Sequence, residues 1–303
     1  MKLAPVLIFT YNRPWHTMET IEALKKNELA KESELFIYSD EAKDKESIGR
    51  VREVREYIKK TDGFKKVTII EREKNWGLAD NIIDGVTKIV NEYGKIIVLE
   101  DDLVTSPYFL KFMNDGLEFY KNEERVVSIH GCIYPVKEKL PDTFFIKGAD
   151  CWGWATWKRG WDLFENDGKK LLNELKQKKL IRKFNFNNSY PYLRMLQDQI
   201  EGKNNSWAIR WYASAFLKDK LTLYPGRSLV NNFGFDGSGI HCGSGKEYDS
   251  ILSNVELVLE KIPIEENLTA KKIIGKFFLS NRVSMFKKVY NKLKFLAFKN
   301  KNI

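Results

Sequence analysis

Lys95–Pro107 reads KIIVLEDDLVTSP. Ile96, Ile97, Val98 and Leu99 run without a break into three consecutive carboxylates, Glu100, Asp101 and Asp102, and Ser106-Pro107 then open a helix. A β-branched run of this kind suits a central parallel strand covered on both faces. The carboxyl edge of such a sheet is where open α/β folds bind ligands. Three adjacent carboxylates repel one another and call for positive charge, which a divalent cation carrying a diphosphate supplies through hard oxygen ligands. An acidic pair elsewhere reads as a solvated turn; here the acids stop a buried strand.

The elements that must position these acids follow from periodicity. The pattern predicts a first strand over Leu3–Phe9, an exit loop Thr10-Tyr11-Asn12-Arg13-Pro14, and a helix from Trp15 to about Asn27 with Pro14 in its first turn. A strand Leu35–Tyr38 ends at Ser39-Asp40, and helix Ile48–Ile58 follows. Strand Val67–Ile70, loop Glu71–Gly77 and helix Leu78–Asn91 lead into the acidic strand. Strands alternating with helices indicate right-handed βαβ units and a parallel sheet. Thr10–Arg13, Ser39-Asp40 and Glu100–Asp102 then emerge at one edge and, with Asn75-Trp76-Gly77, line a nucleotide cleft. No glycine-rich phosphate loop occurs, so a diphosphate would be held mainly through metal.

After a helix Tyr108–Tyr120 the pattern changes. Short strands are expected at Val126–Ile129 and Phe144–Ile146, followed by Trp152-Gly153-Trp154 and by Trp157 and Trp161. Such aromatics form either a wall for the apolar faces of sugar rings or a core. Leu171–Phe184 reads as a basic helix, Tyr190–Glu201 as a helix carrying Asp198, Ser206–Leu217 as a segment with Trp207 and Trp211, and Leu221–Pro225 as a strand. Asn231–Gly245 is a glycine-rich loop with Asp236, His241 and Cys242, able to fold over a ligand. His241 is a candidate metal ligand in that loop.

The composition is that of an ordinary globular protein, 43% hydrophobic and 30% charged over 303 residues. Cys132, Cys151 and Cys242 are odd in number and lack Cys-x-x-Cys spacing, so neither a disulfide framework nor a zinc ribbon is indicated, and a reducing cytosol fits. The N-terminal apolar run reads as a strand, not a signal peptide, and no stretch approaches the roughly 18 apolar residues of a membrane span. The net charge of +10 is localised: residues 271–303 hold ten Lys and Arg and no acid, and the rest of the chain is balanced. Ile273, Ile274, Phe277, Phe278, Phe286, Val289, Tyr290, Leu293, Leu296 and Ala297 form a stripe at spacings of three and four among these lysines. The tail is expected to lie on an anionic membrane surface, ahead of a helix packed on its own domain or a nucleic-acid arm.

With these residues in view, the chain from about Ala4 to Gly243 resembles an inverting glycosyltransferase of the GT-A type: the large family-2-like bacterial transferases and, more specifically, the N-acetylglucosaminyltransferase I group. Leu99-Glu100-Asp101-Asp102-Leu103 carries the resemblance most specifically. Support comes from Thr10-Tyr11-Asn12-Arg13, from the Asn75-x-Gly77-Leu78-Ala79-x-Asn81 turn, and from the series WGW, SWAIRW, YPGRSL and GIH. The resemblance implies that Glu100 faces the donor sugar, Asp101 the ribose, Asp102 the metal (Mn2+ or Mg2+), and Asp40 the base or ribose. It further implies that Asn75, Gly77 and Leu78 border the nucleotide and that Trp152, Gly153 and Trp154 face the acceptor. One departure matters: that group has its catalytic aspartate inside a Trp-Asp-Asp-Trp run, and this chain has Trp207-Ala208-Ile209-Arg210-Trp211 instead. A base is still needed, because an acceptor hydroxyl must lose its proton as it attacks. Asp198 is the first candidate, Asp150 the second and Asp236 the third.

The expected architecture is α/β, a GT-A fold with a mainly parallel central sheet. Residues 1–260 are the catalytic domain, with a nucleotide-sugar half over 1–103 and an acceptor half over 104–260, and residues 261–303 are a basic amphipathic tail. The expected activity is metal-dependent transfer of a sugar from a nucleotide-diphosphate donor, UDP by resemblance, to a glycan or lipid-linked acceptor of bacterial surface polysaccharide. It would take place in the cytoplasm at the inner membrane face, without nucleic acid. Two alternatives are a non-catalytic membrane-surface binding module and a nucleotidyltransferase. The second should carry a glycine- and basic-rich loop after its first strand, and Thr10–Pro14 contains no glycine.

Overall fold

Apolar runs with few polar interruptions make strands that must be covered on both faces. The computed structural model describes residues 2–237 and 247–282. β1 (Val6–Thr10), β2 (Glu34–Ser39), β3 (Lys66–Glu71) and β4 (Lys95–Glu100) lie parallel in the order β3-β2-β1-β4. They are connected through α1 (Pro14–Lys25), α2 (Ile48–Ile58) and α3 (Leu78–Tyr93). Thr10 pairs with Ser39 and Phe9 with Glu100, so the polar exits of β1, β2 and β4 share one edge of the sheet as expected. The first strand is shorter than the pattern suggested, and Pro14 stands at the first position of α1, where a missing N–H costs nothing.

Beyond β4 the chain reverses. β5 (Leu103–Thr105) leaves the sheet and later pairs antiparallel with β10 (Val230–Asn232). After α4 (Phe109–Phe119), strands β6 (Val126–His130), β7 (Thr143–Lys147), β8 (Trp154–Trp157) and β9 (Leu221–Pro225) extend the sheet in the order β4-β8-β6-β9-β7. β8 runs antiparallel to both its neighbours and β7 antiparallel to β9, which leaves the eight-stranded sheet mostly parallel.

β8 corrects the expectation for Trp154. Side chains alternate across a strand, and here Ala155 and Trp157 join one core while Trp154 joins the other. Trp154 is fully buried, its ring 5.7 Å from Trp161, 5.5 Å from Trp207 and 5.9 Å from Trp211. It is a core residue and does not face an acceptor.

The helical excursion comprises α5 (Lys158–Trp161), α6 (Gly168–Gln177), α7 (Ile181–Phe184), α8 (Tyr192–Ile200) and α9 (Trp207–Leu217). The single basic helix expected over 171–184 is broken where Lys179 turns to φ +55°. Ser206 caps α9 by accepting from Ile209 N–H at 3.2 Å.

The C-terminal segment belongs to the same body. Leu257 is part of the central core, with Leu259, Ile262 and Ile264 packed against it. A helix over 268–282 lays Ala270, Ile274 and Phe278 on Phe144, Ile146, Phe186 and Tyr224. The boundary expected at residue 260 therefore falls inside the packed body. Lys271, expected among the membrane-facing cations, is buried against Glu266 at 2.8 Å. The part of the tail's stripe that remains for a membrane lies in 283–303, outside the described residues. Among the described residues no helix is long and apolar enough to cross a membrane. Phe278→Ala should destabilise the protein by about 3–5 kcal/mol, as removal of a buried Phe does. A melting temperature unchanged from wild type would show that the helix is not docked.

Candidate active site

The polar residues at the common sheet edge are drawn together by distinct means. Asp40, buried at the end of β2, accepts from four donors. Its Oδ1 takes the N–H groups of Glu41 and Trp76 at 2.9 Å each; its Oδ2 takes Gly77 N–H at 2.9 Å and Asn75 Nδ2 at 3.1 Å. Gly77 has φ +73°, where a side chain would be strained. Arg72 braces the same turn, lying 4.1 Å over the Trp76 ring and donating to Asn81 at 2.9 Å. A carboxylate has about four lone-pair sites, and those of Asp40 are filled by protein. It shapes the Asn75–Gly77 side of the cleft and offers few acceptors to it.

At the end of β4 a single guanidinium nitrogen, Nη2 of Arg13, donates to Asp101 Oδ1 and, at 2.9 Å, to Asp102 Oδ2. Both aspartates are buried. Thr20 Oγ1 donates to the Asp101 carbonyl at 2.8 Å, and Phe233 N–H to that of Asp102 at 3.1 Å. The chain passes so close at Gly234 that a Cβ there would lie 2.1 Å from Asp102 Oδ2. Burial pushes the Glu100 carboxyl up to about 8, helped by the charges of Asp102 and Asp101 and opposed by Arg13. Burial also raises Asp101, against the pull of Arg13. For Arg13 burial works against the charge, but the two carboxylates outweigh it and hold the guanidinium charged above the ordinary arginine value.

Asp101 Oδ1 and Asp102 Oδ2 thus converge on one point of positive charge, which is the donor chemistry of a divalent-cation site. The remaining ligands would have to come from a bound diphosphate and water. Among the described residues no group of three or more His, Cys, Asp and Glu side chains is placed to hold a metal. His241, the other candidate ligand, lies outside the described residues.

One cavity of about 620 Å³ joins this edge to an aromatic chamber built by the second half of the chain. Arg13, Asp101, Asp102 and Gly77 line it together with Asp150, Trp152, Tyr248 and Phe278. Asp150 Oδ2 accepts from the hydroxyls of Tyr134 at 3.0 Å and Tyr224 at 3.2 Å, and Oδ1 from Cys151 N–H at 2.8 Å. Burial and the Asp150 charge push both phenols well above their ordinary value, so they stay protonated as donors. His130 Nε2 stands 3.8 Å behind the same carboxylate oxygen; burial lowers His130, against the pull of Asp150, and keeps it neutral near pH 7.

Residues 6–142 match the family model of glycosyl transferase family 2. The fold is GT-A. The match spans the common sheet edge, β4 and its acids, and ends just before β7, so most of the aromatic chamber lies outside it. No curated protein matches the chain. Among solved structures, a mannosyltransferase from Pyrobaculum calidifontis, PcManGT, in complex with GDP-Man and Mn2+, aligns at 12% identity with a TM-score of 0.33 over 44% of this chain and 36% of that one. S. aureus TarS 1–349 aligns at 15% identity with a TM-score of 0.41 over 76% of this chain and 60% of that one. A cytidylyltransferase from Leptospira borgpetersenii aligns at 14% identity with a TM-score of 0.31 over 52% and 61%. The chain spans less than two thirds of the length of each of these proteins.

Within the GT-A cavity the structure brings together Thr10, Tyr11, Arg13, Asp40, Asn75, Gly77, Leu78, the acidic triplet, Asp150 and Trp152. It does not bring Asp198 there. That residue, one turn beyond Arg194 on α8, pairs with it at 3.1 Å and with Lys203 at 3.7 Å, while Met195 and Asn204 are the cavity-facing residues nearby. Gly153 is not a wall residue either: at φ +67° it lets the backbone pass where a Cβ would meet Val230 at 2.7 Å, and so it aims Trp152. Asp236 pairs with His16 at 3.1 Å. The sequence reading missed Tyr134, Tyr224 and His130. Their common target, Asp150, is visible only when β6, β9 and β7 are adjacent. Lys43, whose N–H donates to Tyr11 Oη at 3.1 Å, was also missed on the cavity wall.

Proposed function

We propose that this GT-A chain transfers a sugar from a nucleotide-diphosphate donor to a hydroxyl of an acceptor glycan, with Asp150 as the general base. The observation that carries the reading is one continuous cavity with cationic and acidic groups at the sheet edge and a single anchored carboxylate at its aromatic end. The Asn75–Gly77 turn, rigid through Asp40, borders the nucleotide. Arg13 offers its guanidinium to the diphosphate, and Glu100, holding its proton near neutral pH, donates a hydrogen bond to the donor sugar. When bound, a divalent cation (Mn2+ or Mg2+) held by Asp102 and Asp101 would supply charge neutralisation for the departing diphosphate.

At the other end, Tyr134 and Tyr224 occupy Asp150 Oδ2, and Oδ1 keeps a lone pair beyond the one given to Cys151 N–H. That lone pair takes the acceptor proton as the oxygen attacks the anomeric carbon. The bond from that carbon to the diphosphate breaks with its electrons on the leaving oxygen, and the configuration inverts. By resemblance, the preferred donor nucleotide is UDP. A lipid-linked or surface glycan at the inner membrane face is the acceptor reading supported by the basic excess in 271–303.

The test is a thermal-shift panel of UDP, GDP, dTDP and CMP, each with and without Mn2+, on wild type and Asp102→Asn. A ligand that binds only the folded state raises the melting temperature by mass action. One nucleotide should stabilise wild type in a metal-dependent way, and the metal-dependent part should vanish in Asp102→Asn. No shift with any nucleotide would overturn the transferase reading.

A further inference from the structure

The family match stops at residue 142, while Asp150, Trp152, Tyr248 and Phe278 come from beyond it and line the same cavity. Phe235 and Tyr248 are stacked, with ring centroids 5.2 Å apart and planes 19° from parallel. Trp152 stands edge-on to both, at 5.6 Å from Phe235 and 5.8 Å from Tyr248. Tyr134 closes the corner, 6.1 Å from Trp152 and 4.8 Å from Phe278. Flat rings of this kind pack against the C–H faces of a pyranose, and the phenol and amide groups among them serve its hydroxyls. Of the cations that line the cavity, Arg13 is already paired with Asp101 and Asp102, while Asp150 is held among the rings by the hydroxyls of Tyr134 and Tyr224. An anionic group brought beside that carboxylate, among low-dielectric rings, is repelled.

We infer that the aromatic end is a subsite for an uncharged sugar ring, which stacks on the Trp152–Tyr248 wall with one hydroxyl directed at Asp150, and that phosphorylated or carboxylated rings are excluded by that same carboxylate. This rests on the transferase reading for its reaction and names the class of acceptor that reaction would use. The proton bookkeeping is unchanged: the reacting hydroxyl of the neutral ring gives its proton to Asp150 Oδ1, and no further charge has to be neutralised at this end.

The experiment is saturation-transfer NMR on the full chain with methyl hexopyranosides, methyl N-acetylhexosaminides and the 6-phosphates of both, run beside the nucleotide thermal shift. Neutral glycosides should bind, and their 6-phosphates at least about tenfold more weakly. Trp152→Ala and Tyr248→Ala should each remove the glycoside signal while the nucleotide shift persists, which shows that the variants are folded. Asp150→Asn should narrow the gap between neutral and phosphorylated rings. Equal or tighter binding of the 6-phosphates to wild type would overturn the inference. So would glycoside binding that survives both aromatic substitutions, or its absence beside a normal nucleotide shift. Glycoside binding with no nucleotide shift would keep the subsite and remove the transferase.

Discussion

Asp150→Asn should lower the rate of sugar transfer by about 10²–10⁴-fold, the usual worth of a positioned general base, and leave the nucleotide thermal shift as in wild type. Asp150 bonds Tyr134, Tyr224 and Cys151, and none of these bonds involves Arg13, Asp101 or Asp102, so its loss should leave donor binding in place. Asparagine keeps the shape and an oxygen for the tyrosine hydroxyls but cannot accept a proton from the acceptor. Asp198→Asn, which alters an ion pair with Arg194 away from the cavity wall, should stay within about twofold of wild type, since surface pairs of this kind are worth little. Steady-state transfer across pH, with donor hydrolysis followed separately, distinguishes the two. Asp150→Asn turning over at more than a tenth of the wild-type rate would remove it as the base.

The nucleotide edge was legible in the sequence because its signals are local. An apolar run stopping at acids, Pro14 opening a helix and Gly77 opening another are each decided within a few residues, and parallel pairing then brings their ends together. The aromatic end was not, because its partners are distant in the chain: Tyr134, Asp150 and Tyr224 meet through strands whose order is not sequential. β8 escaped for another reason. Trp154-Ala155-Thr156-Trp157 has large apolar residues on both faces, so period two does not stand out in it. Proximity to Trp207 pointed to Asp198, but α8 turns that side chain toward Arg194, whereas the loop before β8 holds Asp150 over the cavity. The part of the tail's apolar stripe that falls among the described residues does present one apolar face. Over 268–282 its partner is the protein's own core, a distinction that spacing cannot make.

Arg13→Met should cost about 3–5 kcal/mol of stability at pH 7, since removing one partner of a buried ion group leaves uncompensated charge, and the cost should depend on pH in a fixed direction. The Arg13, Asp101 and Asp102 side chains are only 16%, 7% and 10% exposed, so solvent screens the group little. In wild type, Glu100 is raised from the ordinary 4.5 to about 8. Between those values the folded protein holds a proton that the unfolded chain has released, so stability falls as pH climbs through that window. Below it both states are protonated and the penalty is gone. Arg13 opposes the upward shift of both Glu100 and Asp101. Without it both rise further, so the folded variant keeps its extra proton to higher pH: it should fall more steeply than wild type from about pH 8 upward and approach wild type in acid. Melting curves at pH 5, 6.5, 8 and above decide the matter, with Glu100→Gln as the control that flattens the wild-type slope. Parallel curves for Arg13→Met and wild type would mean that the guanidinium is not the counter-charge of the triplet, and that the acids at the end of β4 are neutralised by some other group.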